Sequence, residues 1–215
     1  IKRIITSLIL IFLLVFSFFY TYILIITLIT ILLISFTELK TLLSKIFKNS
    51  FFKTLSLLLG LVYLLFFGYL VFESINKINP NFKIHTLYLF LICILSDIGG
   101  LIFGKIFKGR KLTKISPNKT ISGSIGSFLF SLTLVPIFYF FLDNFNNLFD
   151  LIFLSIIISF FCQLGDLIVS YLKRKAHVKD TGNLLPGHGG FLDRIDGMLL
   201  AIPLGILIWK LLIIS

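Results

Sequence analysis

Charge is scarce in this sequence. Of its 215 residues only nine are acidic and 13% are charged, against 58% hydrophobic and a mean hydropathy of +1.07. Water-soluble domains carry roughly a quarter charged residues, because polar surface must cover the core; a soluble globule is excluded, and with it a disordered chain. Cysteine is scarcer still, at two residues. Cys93 and Cys162 each lie inside an apolar run, where they read as small buried hydrophobes rather than as a secreted disulfide framework. The first stretch lacks the marks of a cleavable signal peptide: its apolar part far exceeds the roughly 7–15 residues of such a segment, and no A-x-A site follows. Ile1 stands where a methionine would start the chain, which reads as processing or a trimmed start. Base outweighs acid, 20 Lys and Arg giving a net charge of +11. In a soluble protein that would suggest nucleic acid, but in a membrane protein Lys and Arg gather in cytoplasmic loops, so no nucleic-acid partner is expected.

What is abundant is apolar length. One bilayer crossing takes roughly 17–25 mostly apolar residues. Ile4–Phe36 is 33 residues without a formal charge, too long for one ordinary span, and Tyr20, Thr21 and Tyr22 near its middle suggest two short spans joined by a tight turn. Thr54–Phe72, Ile84–Ile106, Ser122–Leu142, Asp150–Leu172 and Gly197–Ile214 follow. The expectation is an all-α, polytopic integral membrane bundle of about seven helices. Its bases alternate with the loops: Lys2 and Arg3 first, then Lys40 to Lys53, then Lys105 to Lys119, then Lys173 to Arg194, whereas the intervening loops hold few. By the positive-inside rule the N-terminus is cytoplasmic and the C-terminus lies outside. Residues 1–83 are read as N-terminal transmembrane helices and 84–215 as a catalytic transmembrane region with cytoplasmic loops at 105–121 and 173–196.

Five of the nine acids, Asp97, Asp166, Asp180, Asp193 and Asp196, fall in or beside the spans 84–106 and 150–172 and the last basic loop. A carboxylate within a bilayer costs a few kcal/mol and normally faces a protein interior, a cavity or a partner charge. Asp97 lies about 15 Å of helix from the basic loop after it, and Asp166 about 10 Å from Lys173, both in the cytoplasmic half. The bland reading is that each snorkels or pairs with a nearby Lys. Against it, Ser170, Lys173 and Arg174 follow Asp166 at i+4, i+7 and i+8, so one helical stripe carries acid, hydroxyl and cation. Between Lys179 and Asp196, Gly182, Pro186, Gly187, Gly189 and Gly190 fix a loop whose backbone can approach a ligand. Acids, bases and His188 interleave with those glycines, the composition of a site for a hard cation and phosphates. Oxygen donors dominate, so the metal is expected to be Mg²⁺-like rather than zinc, and a lone histidine such as His188 is more often a hydrogen-bonding residue than a ligand. A second basic loop, Gly104–Gly123, could be no more than a headgroup-facing stretch, yet its Ser116-Pro117-Asn118-Lys119-Thr120 cluster is ordered enough to grip phosphate.

The run Ser170, Leu172, Lys173, Arg174, Lys179, Asp180, Gly182, Leu185, Pro186, His188, Gly189, Gly190, Phe191, Asp193, Arg194, Ile195 and Asp196 resembles, position for position, the signature of the phosphatidate cytidylyltransferase family, the CDP-diacylglycerol synthases. Asp97-Ile98-Gly99-Gly100, Phe103-Gly104-Lys105, the Ser116–Thr120 cluster with Gly123, and Gly165-Asp166 stand in the order that family uses. The chain departs from it at Lys105, where Arg is common, and at Ile121 and Ser122, where a Trp-Glu pair is common, and it is short for the family. The resemblance implies CTP and phosphatidic acid as substrates in phospholipid biosynthesis, Mg²⁺ with a monovalent ion such as K⁺, and a bacterial inner-membrane protein whose active site faces the cytoplasm. It implies that Asp166 and Asp193 hold the metal, with Asp196 and Asp180 completing the set or ordering its waters. Lys173, Arg174, Lys179 and Arg194 would neutralise the triphosphate, and His188, Gly189 and Gly190 would bring donors to it. Asp97, Ser116, Lys119 and Ser170 would line the substrate. A homodimer is compatible with the sequence and is not read from it. A related CTP-using lipid enzyme, CDP-archaeol-synthase-like or dolichol-kinase-like, is the alternative. A transporter also uses intramembrane acids, but the matching broken halves it would show are not visible.

Overall fold

A computed structural model of the chain describes residues 12–77, 80–113, 115–141, 148–182 and 189–214. Every long element among them is helical. Hydrocarbon offers the backbone no hydrogen-bond partner, so Ile- and Phe-rich runs that are indifferent helix formers in water must close their own ladders. Residues 12–19 are helical. The elements that follow are α1 (Thr21–Ile46), α2 (Ser50–Asn76), α3 (Pro80–Phe107), α4 (Ile121–Leu132), α5 (Val135–Tyr139), α6 (Leu148–Lys175) and α7 (Leu192–Ile214). Five stretches among the described residues are long and apolar enough to cross a membrane: Thr21–Ile46, Ser50–Asn76, Asn81–Phe107, Ile121–Tyr139 and Leu148–Lys175. Their surfaces agree with that, since Leu58, Leu59, Val62, Leu65 and Tyr69 on α2 are all exposed, an apolar face that lipid covers and water would not tolerate.

Several boundaries differ from the sequence expectation, each for a local reason. Residues 4–11 of the first expected span lie outside the described residues; where a tight turn between two short spans was expected, the helix is interrupted at Tyr20, which is extended at φ −122°, ψ 114°. The helix after it does not stop at Phe36 but runs to Ile46, because Thr37–Ile46 holds no Gly or Pro and several good helix formers. The stretch expected as one span from Ser122 is one candidate span, Ile121–Tyr139, but its helix is interrupted within it: α4 ends at Leu132 and α5 starts with Pro136 in its first turn. Pro136 offers no N–H to the carbonyl of Leu132 and its ring clashes there. The far end of that expected span, Leu142, lies outside the described residues. The last helix begins at Leu192, not Gly197, so Asp193, Arg194 and Asp196, expected in the loop 173–196, sit in its first turns.

The chain divides into two compact units, Ile1–Asn76 with Leu172–Ile195, and Lys77–Tyr171 with Asp196–Ser215. In the first, α1 and α2 pack closely where a Cβ on Gly60 would stand 2.5 Å from Leu39 and one on Gly68 2.7 Å from Leu32, and Thr21 bonds Asn76 at 3.0 Å. In the second, α3 and α4 meet backbone to backbone: a Cβ on Gly126 would lie 2.7 Å from the carbonyl of Gly99, and one on Gly123 2.8 Å from that of Gly100. Small residues let membrane helices approach in this way. Polar pairs tie α6 to its neighbours there, Tyr88 to Ser155 at 2.5 Å, Ser96 to Ser159 at 2.9 Å and Ser124 to Gln163 at 2.5 Å. At the far end of α3, His85 is stacked on Trp209, ring centroids 4.0 Å apart, both buried.

Candidate functional site

The sequence-predicted residues fall into two clusters, one in each unit. In the second unit the basic loop after α3 is a tight excursion. Lys111 and Thr120 form a bridge, with Leu112 N–H donating to the Lys119 carbonyl at 2.8 Å and Ile121 N–H to that of Arg110 at 2.9 Å. Lys119 N–H closes on the Ser116 carbonyl at 3.1 Å, a turn with Pro117 at the position where its fixed φ is preformed. Thr120 then caps α4, its hydroxyl accepting from Gly123 N–H at 3.0 Å. The Ser-Pro-Asn-Lys-Thr run is therefore a turn and a cap whose product is the placement of Lys119.

Lys119 forms an ion pair with Asp166. Ser170, one turn further along α6, directs its hydroxyl to the other Asp166 oxygen at 3.4 Å. Asp97 on α3 is exposed and lies 3.9 Å from the Cys162 thiol. Asp196 on α7 accepts from Gly197 N–H at 2.9 Å. Two glycines set the spacing of the helices here: a Cβ on Gly165 would stand 2.6 Å from the Asp196 carbonyl, and one on Gly197 2.8 Å from that of Cys162. The Gly-Asp pair at 165–166 thus has a physical reading. Its glycine admits the α7 backbone, and its aspartate is left beside that contact. Of the predicted substrate residues, Ser116 contributes backbone to the turn, and Ser170 is buried.

In the first unit, Lys173 in the last turn of α6 and Asp193 in the first turn of α7 are paired at 2.6 Å, their side chains only 14% and 10% exposed. The second Asp193 oxygen accepts from Thr181 N–H at 2.9 Å. Its place in the first turn also sets a carboxylate against the positive end of the helix dipole. Arg174, Lys179, Asp180 and Arg194 are exposed. Gly189 adopts φ +80° and packs on Asp180, while Gly190 is buried. His188 lies outside the described residues.

One residue was missed by reading the sequence. Glu38 on α1 is 3% exposed and accepts three hydrogen bonds, from Thr181 Oγ1 at 2.7 Å, Phe191 N–H at 2.9 Å and Leu192 N–H at 2.8 Å. The rule that flagged Asp97 and Asp166, that an acid within an apolar helix needs a partner, applies to it equally. Ending the span at Phe36 placed it in a loop and hid it.

Among the described residues no three His, Cys, Asp or Glu side chains converge closely enough to hold a metal by themselves. The donor set is nevertheless of the right kind. Carboxylates suit a hard cation, and Mg²⁺ is commonly held by one or two of them together with substrate phosphates and water. The ammonium groups of Lys119 and Lys173 already supply positive charge to Asp166 and Asp193. Chemically, each cluster offers carboxylate oxygen beside a fixed cation, with further cations exposed nearby in the first unit, an arrangement suited to polyphosphate.

Comparison with known proteins adds the following. The family model described as the cytidylyltransferase family matches residues 1–212. A protein named phosphatidate cytidylyltransferase from Staphylococcus haemolyticus (strain JCSC1435) is 49% identical over 122 residues, 56% of this chain and 46% of that relative. Proteins of the same name from Staphylococcus aureus (strain COL) and Staphylococcus epidermidis (strain ATCC 35984) are 48% and 45% identical over 122 and 121 residues, again 56% of this chain and 46% of theirs. The matches span about half the length of these curated relatives.

Proposed function

The chain belongs to the cytidylyltransferase family, and on that premise we propose that it transfers the cytidylyl group of CTP to phosphatidic acid. A phosphate oxygen of the lipid attacks the α-phosphorus of CTP, a P–O–P link forms, the α–β bond breaks, and pyrophosphate leaves with CDP-diacylglycerol as the lipid product. The observation that carries this reading is the pair of ammonium–carboxylate contacts, Lys119 with Asp166 and Lys173 with Asp193, made by four residues of the motifs that resemble the phosphatidate cytidylyltransferases.

A phosphate monoester near neutral pH is already largely dianionic, so the nucleophile needs little help from a general base. What the reaction needs is in-line placement and neutralisation of two crowded anions. Lys173 is anchored by Asp193 and Lys119 by Asp166; an ammonium held in one geometry meets a phosphate oxygen with little further loss of side-chain freedom. The exposed Arg174, Lys179 and Arg194 serve the triphosphate and the departing pyrophosphate, Arg by bidentate contact. Asp97 and Ser170 border the Asp166 cluster and orient what binds there. For Mg²⁺ the family resemblance names Asp166 and Asp196, which belong to the second unit, and Asp193, which belongs to the first, with Asp180 and a K⁺ site as further family expectations. The metal would supply charge neutralisation at the phosphates. The reading places the chemistry at the cytoplasmic leaflet, where CTP arrives from water.

The test is acceptor choice. The purified chain in detergent, given labelled CTP and Mg²⁺, is expected to label phosphatidic acid in preference to a polyprenol or an archaeal lipid acceptor. Labelling of either of those instead would move the assignment to the related lipid enzymes, and labelling of none in a folded sample would remove it.

A further inference from the structure

We infer that Glu38 is a positioning residue of the reaction proposed above, acting from α1 through Thr181 on Asp193 and Lys173; the inference rests on that functional reading. The first backbone N–H groups of a helix have no partner within it. At α7 those of Phe191 and Leu192 donate to Glu38 Oε1 and Oε2 at 2.9 and 2.8 Å, so a carboxylate more than 150 residues earlier in the chain does the work usually done by a local cap. The negative charge also lies at the favourable end of the helix dipole. Among the described residues no cation pairs with it, and three charge-assisted hydrogen bonds take the place of one.

The contacts continue to the predicted site. Thr181 Oγ1 lies 2.7 Å from Glu38 Oε2 and 3.1 Å from Asp193 Oδ2, and Thr181 N–H donates to that same Asp193 oxygen at 2.9 Å. Asp193 Oδ1 holds Lys173 Nζ at 2.6 Å. Glu38 therefore fixes both the start of the helix carrying Asp193 and the threonine that orients its carboxylate. The glycines on either side of residues 183–188 leave room for Glu38. A Cβ on Gly182 would stand 2.6 Å from Glu38 Oε1, and one on Gly190 would stand 2.8 Å from Glu38 Oε2 and strike the Thr181 hydroxyl. Two of the signature's glycines thus leave room for a residue outside the signature. Both Glu38 oxygens are engaged by this chain and the residue is 3% exposed, which is why the role is positioning.

Glu38→Gln keeps the size but turns one acceptor into a donor, facing either Phe191 N–H or the pair Leu192 N–H and Thr181 Oγ1. Turnover should fall about tenfold to hundredfold in the CTP and phosphatidic acid assay, while KM for each substrate stays within about threefold because the exposed cations are untouched. Hydrogen exchange at Thr181, Phe191 and Leu192 should speed up. Thr181→Val should lower kcat in the same manner, and Thr181→Ser should retain it, a rescue that a merely space-filling role would not require. These Thr181 variants decide the matter if Glu38→Gln does not fold. Undiminished kcat in Glu38→Gln, or a loss that only tracks the folded fraction, overturns the proposal while the wild type still makes product. No product from the folded wild type overturns instead the functional reading beneath it.

Discussion

Replacing Asp193 with Asn preserves the side chain's shape and removes its charge, and the consequence can be worked from its contacts. One oxygen takes Lys173 Nζ at 2.6 Å and the other takes Thr181 N–H at 2.9 Å. An amide has one oxygen, so one of these donors must face an NH₂ group. Lys173, 14% exposed, also loses the charge that balanced it. Losing a hydrogen bond to a charged group costs about 1.5–3 kcal/mol. At about 2–4 °C per kcal/mol for a chain of this size, Tm in detergent should fall by about 3–12 °C. The pair can be isolated by a double-mutant cycle with Lys173→Met, whose expected coupling is about 1–3 kcal/mol. Additive effects of the two substitutions, or an Asp193→Asn protein as stable as the wild type, would refute the geometry on which the first-unit cluster rests.

Asp166→Asn should abolish transfer with the fold retained, and Lys48→Ala, an exposed lysine beyond the end of α1, should leave the rate within about twofold as surface changes usually do; the lipid-labelling assay reads both. Gly126→Ala puts a methyl 2.7 Å from the Gly99 carbonyl, so the α3–α4 contact must open at a cost of about 1–3 kcal/mol, visible as a lower Tm and a broader size-exclusion peak. Thr120→Ala removes the hydroxyl that caps α4, and should cost about 1 kcal/mol, again as a shift in Tm.

Five of the seven expected spans were legible among the described residues, because bilayer thickness and the backbone's need for partners translate apolar length into helix. Details set within one turn were legible too in principle: Pro136 marks the break after Leu132, and Thr120 with Pro117 marks a cap and a turn. The beginning of α7 was not, because its first N–H groups are satisfied by Glu38 from a distant helix, a tertiary contact no local pattern carries. For the same reason the acids could be singled out without their partners. Nothing in the spacing of Lys119 and Asp166, or of Lys173 and Asp193, announces that they pair. The reason for the glycine before Asp166 emerged only when the α7 backbone was found against it.

A cytidylyl transfer is distinguished from any other use of CTP by where the phosphate label travels. The purified chain is incubated with phosphatidic acid, Mg²⁺ and CTP labelled in either the α- or the γ-phosphate. The α-label should enter the lipid and the γ-label should appear only in pyrophosphate. A γ-label in the lipid would make the protein a kinase, and no label in lipid from a folded sample would contradict the transfer altogether.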